Sequence, residues 1–177
     1  MKRSSRHRAL QPLDEAALNE LALRYVGRFA TTRAKLCAYL ARKVRERGWE
    51  GAHDPDLTGI AGHFSDKGYI DDRAYALGKS QSLSARGYGK RRVLETLRAA
   101  GIDEGDCAAA HEFADEEAVS AAIRFAKRRR IGPFGTSPVH DPKERDKALS
   151  AMIRAGHSFE LARKILSLKP GEEPNLG

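Results

Sequence analysis

Gly68-Tyr69-Ile70-Asp71-Asp72, followed by Tyr75-Ala76, Arg86-Gly87-Tyr88-Gly89, Leu97 and Gly101-Ile102, encodes two helices and the turns that bound them. Just before it, Leu57, Ile60, Ala61 and Phe64 fall at i, i+3, i+4 and i+7, one face of a helix. Gly68 suits the left-handed position that ends such a helix, and Tyr69 supplies the apolar residue that closes the cap. Asp71 or Asp72 then offers a carboxylate to the free N–H groups of the next helix, where it also opposes the positive end of the macrodipole. That helix stops before Gly87-Tyr88-Gly89. Its successor carries Val93, Leu94, Leu97 and Ala100 on one face and Lys90, Arg91, Arg92 and Arg98 mostly on the other, and Gly101-Ile102 closes it as Gly68-Tyr69 closed the first.

Outward from this stretch the pattern recurs. Asp-x-x-Ala occurs at Asp14, Asp71 and Asp115, each read as a helix start. The first unit puts Leu18, Leu21, Ala22 and Tyr25 on one helix and Leu36, Tyr39, Leu40 and Val44 on the next, entered through Thr31 or Thr32 and closed by Gly48-Trp49. Asp54-Pro55 reads as N-cap and N1 of a third helix over 55–67. The second unit is the opening stretch plus a short helix after Asp103. The third runs through Ala118, Val119, Ala122, Ile123 and Ala126, and breaks at a Gly- and Pro-rich insertion over 131–140. It resumes at Asp141-Pro142-Lys143-Glu144, a capping box, and ends with a helix from Ser158 through Ile165 and Leu168. The expected fold is all-α, nine helices in three tandem three-helix repeats at 14–69, 70–114 and 115–168. A disordered basic arm over 1–13 and a frayed tail over 169–177 flank them.

The motif residues resemble the RecX regulatory proteins of bacteria, which read Gly-Tyr-hydrophobic-Asp-Asp, an aromatic-Ala pair, Gly-x-Gly, a basic pair, Ile or Val, Leu, and Gly-Ile. Here these are Gly68 to Asp72, Tyr75-Ala76, Gly87 and Gly89, Arg91-Arg92, Val93, Leu97 and Gly101-Ile102. Two departures are visible. Leu83 stands where many members place an Arg, with Arg86 supplied instead, and Ala155-Gly156-His157 replaces an Arg-Gly-Phe-like turn, which weakens an apolar anchor. The resemblance covers 14–168 and implies an elongated, curved molecule. It also implies a partner: the RecA recombinase filament on single-stranded DNA, in whose groove the protein lodges to inhibit ATPase, strand exchange and coprotease activity.

Composition agrees with such a partner without requiring it. The 177 residues carry a formal charge of +8 with pI ≈ 9.7, a balance that favours an anionic partner. Hydrophobic residues make up 41%, yet no apolar run approaches the roughly 18 residues of a membrane span. Lys2, Arg3, Arg6 and Arg8 precede no apolar h-region, so a signal peptide is not indicated. Cys37 and Cys107 lack metal or disulfide spacing, which points to a reducing compartment, the cytoplasm; a monomer is expected as well.

Catalytic readings are weak. Asp71 and Asp72 are adjacent, so on a helix their carboxylates diverge by about 100° rather than converge. The six histidines, His7, His53, His63, His111, His140 and His157, have no ligand spacing, and no phosphate loop or nucleophile motif occurs. No enzyme activity, cofactor or metal is expected. Basic residues instead recur at matching places: Arg33, Lys35, Arg42 and Lys43 in the first unit, Arg86, Lys90, Arg91 and Arg92 in the second, Arg145 and Lys147 in the third. Lys127, Arg128, Arg129 and Arg130 add a cluster before the long loop. These are the candidates for contact with DNA or RecA, as a stripe tracking phosphates without reading bases. Tyr88 is the aromatic placed either to stack on a base or to pack a turn. The rival readings are a sequence-independent DNA-binding protein with no recombinase partner, and a helical scaffold whose charge is a solvated face.

Overall fold

The computed structural model describes residues 11–136 and 141–175. The cations of residues 2–8, His7, His140 and part of the inserted loop therefore lie outside the described residues. Nine α-helices occur among those described: α1 (Glu15–Val26), α2 (Arg33–Arg47), α3 (Leu57–Asp66), α4 (Asp72–Ala85), α5 (Lys90–Ala99), α6 (Ala108–Glu116), α7 (Ala118–Arg129), α8 (Pro142–Arg154) and α9 (Phe159–Ser167). Short 3-10 turns at Glu104–Asp106 and Gly132–Phe134 join two of the pairs. The only strand-like pairing among the described residues is one bridge between Leu13 and Trp49. The chain divides into two compact units, residues 1–71 and 72–177.

The first unit packs α1, α2 and α3 around Leu13, Leu18, Leu36, Leu40, Phe64 and Ile70. Asp14 caps α1 by accepting the Ala17 amide, and Thr32 rather than Thr31 caps α2 by accepting from Lys35. Two readings need correction here. The third helix starts at Leu57, not 55, because Asp56 rather than Asp54 reaches the Gly59 amide at 2.8 Å. Residues 11–13, read as part of a disordered arm, are ordered: Leu13 is fully buried, donates to Gly48 O and accepts from the Glu50 amide, while Arg47 holds Gln11 O. Gly48 ends α2 at a positive φ of 86°, and its carbonyl is the one that Leu13 takes.

The second unit contains two apolar clusters. Ala76, Leu83, Val93, Leu97, Ile102 and Ala110 come together from α4, α5 and α6; Ala122, Phe125, Met152, Ala162 and Ile165 come together from α7, α8 and α9. Tyr88 packs against both, so it is a turn packer. Asp115 does not open a helix. It lies in the last turn of α6, and its carboxylate takes the Lys90 ammonium at 2.5 Å instead of an amide of α7. The inserted loop is folded back through Pro133, which is buried and whose carbonyl accepts from Gly171 at 2.9 Å. That contact and the Lys169 amide on the Glu172 carboxylate order the start of the expected frayed tail.

One closure recurs throughout. At Gly68, Gly87, Gly101 and Gly156 the glycine amide bonds three residues back and the following amide five back, to Phe64, Leu83, Leu97 and Met152. All four have positive φ, from 69° to 96°. This double bond satisfies two orphan carbonyls of each helix, and the left-handed residue is glycine because a Cβ there meets its own carbonyl. The α7 end makes the same bonds with Arg130 at φ 53°, the one non-glycine residue with positive φ among the described residues.

Gly89 is glycine for another reason. Its φ is an ordinary −81°, yet a Cβ there would lie 2.4 Å from the backbone C and O of Gly156. Gly156 in turn would place a Cβ 2.4 Å from the Arg92 amide nitrogen. The α5 start and the α8 end thus meet backbone to backbone. Gly89→Ala is expected to destabilise the protein by about 2 kcal/mol or more, since neither side can yield as a flexible side chain would. Gly78 gives the contrast: it is exposed within α4, and a methyl group added there would meet nothing within 4 Å. Gly78→Ala should add about 0.5–1 kcal/mol. Urea midpoints at unchanged m-value measure both, and equal midpoints for the two variants would refute the backbone contact.

Candidate nucleic-acid interface

The candidate cations divide by what holds them. On α2, Arg42 and Lys43 both pair with Glu46, at 3.6 and 2.6 Å, and both lie over the Tyr39 ring, itself stacked on Tyr25. The Lys43 hydrogen bond, more than any other influence, holds the Glu46 carboxyl below its ordinary value. Arg33 and Lys35 are half-buried in the first turn of the same helix and are engaged by neighbours.

On α5 the three consecutive cations are also compensated. Lys90 pairs with Asp115, and Arg91 and Arg92 with Glu95 at 3.6 and 3.7 Å. The Arg91 guanidinium further donates to Ile153 O in the last turn of α8. The Gly89 and Arg91 amides donate to Ala155 O and Gly156 O. Cations at a helix N-terminus face the wrong end of the macrodipole. Here the carbonyl end of α8 lies against it and offsets both the dipole and the charge.

On α7 the cluster splits. Arg124 donates through Nε to Ser84 O at 3.2 Å and pairs with Glu117, and Arg128 donates to Arg86 O. These carbonyls belong to the C-terminal end of α4, where cations are favourable. Arg128 and Arg129 both lie over the Phe125 ring, at 5.6 and 5.8 Å, and Arg86 lies over Tyr88 at 5.4 Å. The structure therefore brings Arg86, Arg128 and Arg129 together. Lys127, Arg130, Arg145 and Lys147 are exposed and outside that group. One residue that is not among the sequence candidates belongs with it: Arg154, a last-turn cation of α8 that borders the same ring pair; Arg124, one turn before Arg128 and also absent from the candidates, stands apart on Glu117 and Ser84 O.

No group of three or more His, Cys, Asp or Glu residues that could hold a metal occurs among the described residues. Nor is any helix among them long and apolar enough to cross a membrane. Cys37 and Cys107 are free thiols, and burial pushes each above its ordinary value, away from reactive thiolate.

Fold and surfaces together define an all-helical basic protein. No protein-family model matches the chain. Individual proteins do: it is 32% identical over 163 residues to the regulatory protein RecX of Myxococcus xanthus, covering 86% of each chain, and 29% identical over 156 residues to that of Thermus thermophilus, covering 88% of this chain and 93% of the other. The crystal structure of RecX from Lactobacillus salivarius shares the fold, with a TM-score of 0.59 at 20% identity, over 85% of this chain and 92% of that one. The chain belongs to the RecX family of regulatory proteins.

The departure at Ala155-Gly156-His157 resolves differently from its reading as a weakened anchor. His157 is 4% exposed, packs edge-on against Phe125 at 5.5 Å, and its Nε2 donates to Gly87 O at 3.1 Å. It fills the aromatic place and adds a hydrogen bond to the left-handed turn that precedes α5. Burial, opposed by that bond, lowers its pKa below the ordinary 6.5. Between the lower folded value and 6.5 the unfolded chain binds the extra proton, so His157 contributes stability that is complete above about pH 6.5 and is lost as pH falls through the folded value. The slope for one such proton is at most about 1.4 kcal/mol per pH unit. His157→Gln, which keeps a donor near the same place, should show a shallower loss of stability between pH 7 and pH 5 in urea titrations than the wild type. Parallel curves would remove His157 from the linkage.

Proposed function

We propose that this protein binds RecA filaments on single-stranded DNA and inhibits their ATPase, strand exchange and coprotease activities. The observation that carries the reading is that the similarity to RecX proteins spans nearly the whole chain, together with the motif residues of 68–102. The candidate cations of α2, α5, α7 and α8 are its contact residues, and the helix triplets act as repeats of one unit. It works as a cytoplasmic monomer, without cofactor or catalysis, by occupying surface rather than by chemistry. Exposed cations speed and orient encounter with the nucleoprotein, while packed contacts fix the partner.

The test uses preformed filaments of the same organism's RecA. A general DNA binder inhibits only by competing for strand, so its effect needs amounts comparable to the DNA sites. A filament binder contacts assembled protomers, so amounts well below one per RecA should slow ATP hydrolysis on filaments already formed. Unchanged hydrolysis, with binding to bare single-stranded DNA intact, would replace this reading with that of a sequence-independent DNA-binding protein.

A further inference from the structure

Several cations of this protein answer to a carboxylate, whereas one cluster gathers around a cleft that no carboxylate lines among the described residues. Arg42, Lys43, Lys90, Arg91, Arg92 and Arg124 all pair with Glu or Asp. Arg128, Arg129 and Arg154 instead border a cleft of about 200 Å³ between α7 and α8, floored by Phe125 and Tyr88, and no carboxylate lines it among the described residues. Arg86 reaches over the Tyr88 ring beside it. Four guanidinium groups from three segments of the chain thus gather around two aromatic rings.

The rings explain how the group is tolerated. A guanidinium over an aromatic face is attracted by the ring quadrupole while its charge stays unneutralised and its in-plane N–H donors stay available. Arg128 spends one donor on Arg86 O, which anchors it, and Phe125, 3% exposed, cannot move. Arg128 and Arg129 are therefore positioned in advance, and Arg154 lines the same cleft from α8.

We propose that this cleft is a phosphate seat for single-stranded nucleic acid, with Arg129 and Arg154 gripping a backbone phosphate from α7 and α8 and Arg128 held between them. The proposal rests on the DNA-binding part of the function above and names its principal contact. Guanidinium forks match phosphate oxygens bidentately, and the guanidinium planes, that of Arg86 laid over Tyr88 among them, are flat surfaces of the kind on which bases stack. An acidic protein segment would use the forks and leave those surfaces idle. The α5 cations, each internally paired, contribute less than their position in the sequence suggests.

Anisotropy of a labelled oligothymidylate of about 15 nucleotides, within the usual range of site sizes, tests this with the full chain across a salt series. Arg129→Gln/Arg154→Gln should lose about tenfold or more in affinity, and its log K against log salt should flatten by about 0.7 for each phosphate released. Arg24→Gln/Arg73→Gln removes the same charge from sites paired with Glu20 and Asp106, outside the candidate contact residues, and should lose less than about threefold. Arg129→Lys/Arg154→Lys keeps the charge but not the fork, and should bind measurably less well than wild type. Thermal melts by circular dichroism confirm that each variant is folded. The proposal is overturned if the two glutamine pairs lose affinity equally, or if the Arg129/Arg154 pair loses binding of a polyglutamate peptide while oligothymidylate binding stands. A wild-type chain that binds no oligothymidylate removes the DNA reading itself, a different result from a variant that behaves like wild type.

Discussion

The second unit depends on the meeting of two helix ends. The last carbonyls of α8, from Ile153, Ala155 and Gly156, accept from the Arg91 side chain and from the amides of Gly89 and Arg91 at the start of α5. Each end otherwise presents orphan groups, donors at one and acceptors at the other, whose burial unpaired costs about 1–3 kcal/mol apiece. Joined, they satisfy each other and bring the negative end of one macrodipole against the positive end of the other. The contact demands that neither backbone carry a Cβ, which is why Gly89 and Gly156 face one another. His157, the next residue, then reaches Gly87 O, so one turn of α8 fixes both the end of α4 and the beginning of α5.

This junction also sorts the positive charge. A basic tripeptide at the N-terminus of an uncapped helix, with no acidic residue in its first turn, is an unfavourable arrangement in isolation. The α8 carbonyls, Asp115 and Glu95 reverse that balance, and in doing so they bind the charges into the fold. Arg124 does the same at the α4 end, on Ser84 O and Glu117. A basic run in this sequence is therefore partly a set of capping groups acting over long range, and its length overstates the cationic surface offered to a partner.

The helices were legible because their signals are local. Asp14, Thr32, Asp141 and Ser158 cap within three residues of themselves, and each glycine closure needs only the five residues before it. Errors arose where two local signals compete. Asp54-Pro55 carries the local start signal, but the carboxylate that reaches an amide is that of Asp56; Asp115 has the type of a cap and is a partner for Lys90. Gly89 with Gly156, His157 with Gly87 and Arg154 with Phe125 were not legible, since each pairs residues some thirty to seventy positions apart whose types suit several other roles. The candidate cations were correctly typed as cations, but nothing in the sequence separates a guanidinium that holds a carbonyl from one that awaits a ligand.

That separation bears on how far net charge can be used. A charge of +8 is a sum over paired and unpaired groups alike, yet a paired cation projects a dipole, whose field falls off faster than that of a lone charge. At physiological salt the Debye length is about 8 Å, so an approaching polyanion senses chiefly cations on the surface nearest it. On that scale Lys90 with Asp115 is nearly neutral, whereas Arg128 and Arg129, held by a ring that does not cancel their charge, keep their full field. Aromatic rings and backbone carbonyls can position arginines without silencing them; carboxylates cannot. The partners of the arginines, more than their number, therefore decide which part of a basic protein attracts nucleic acid.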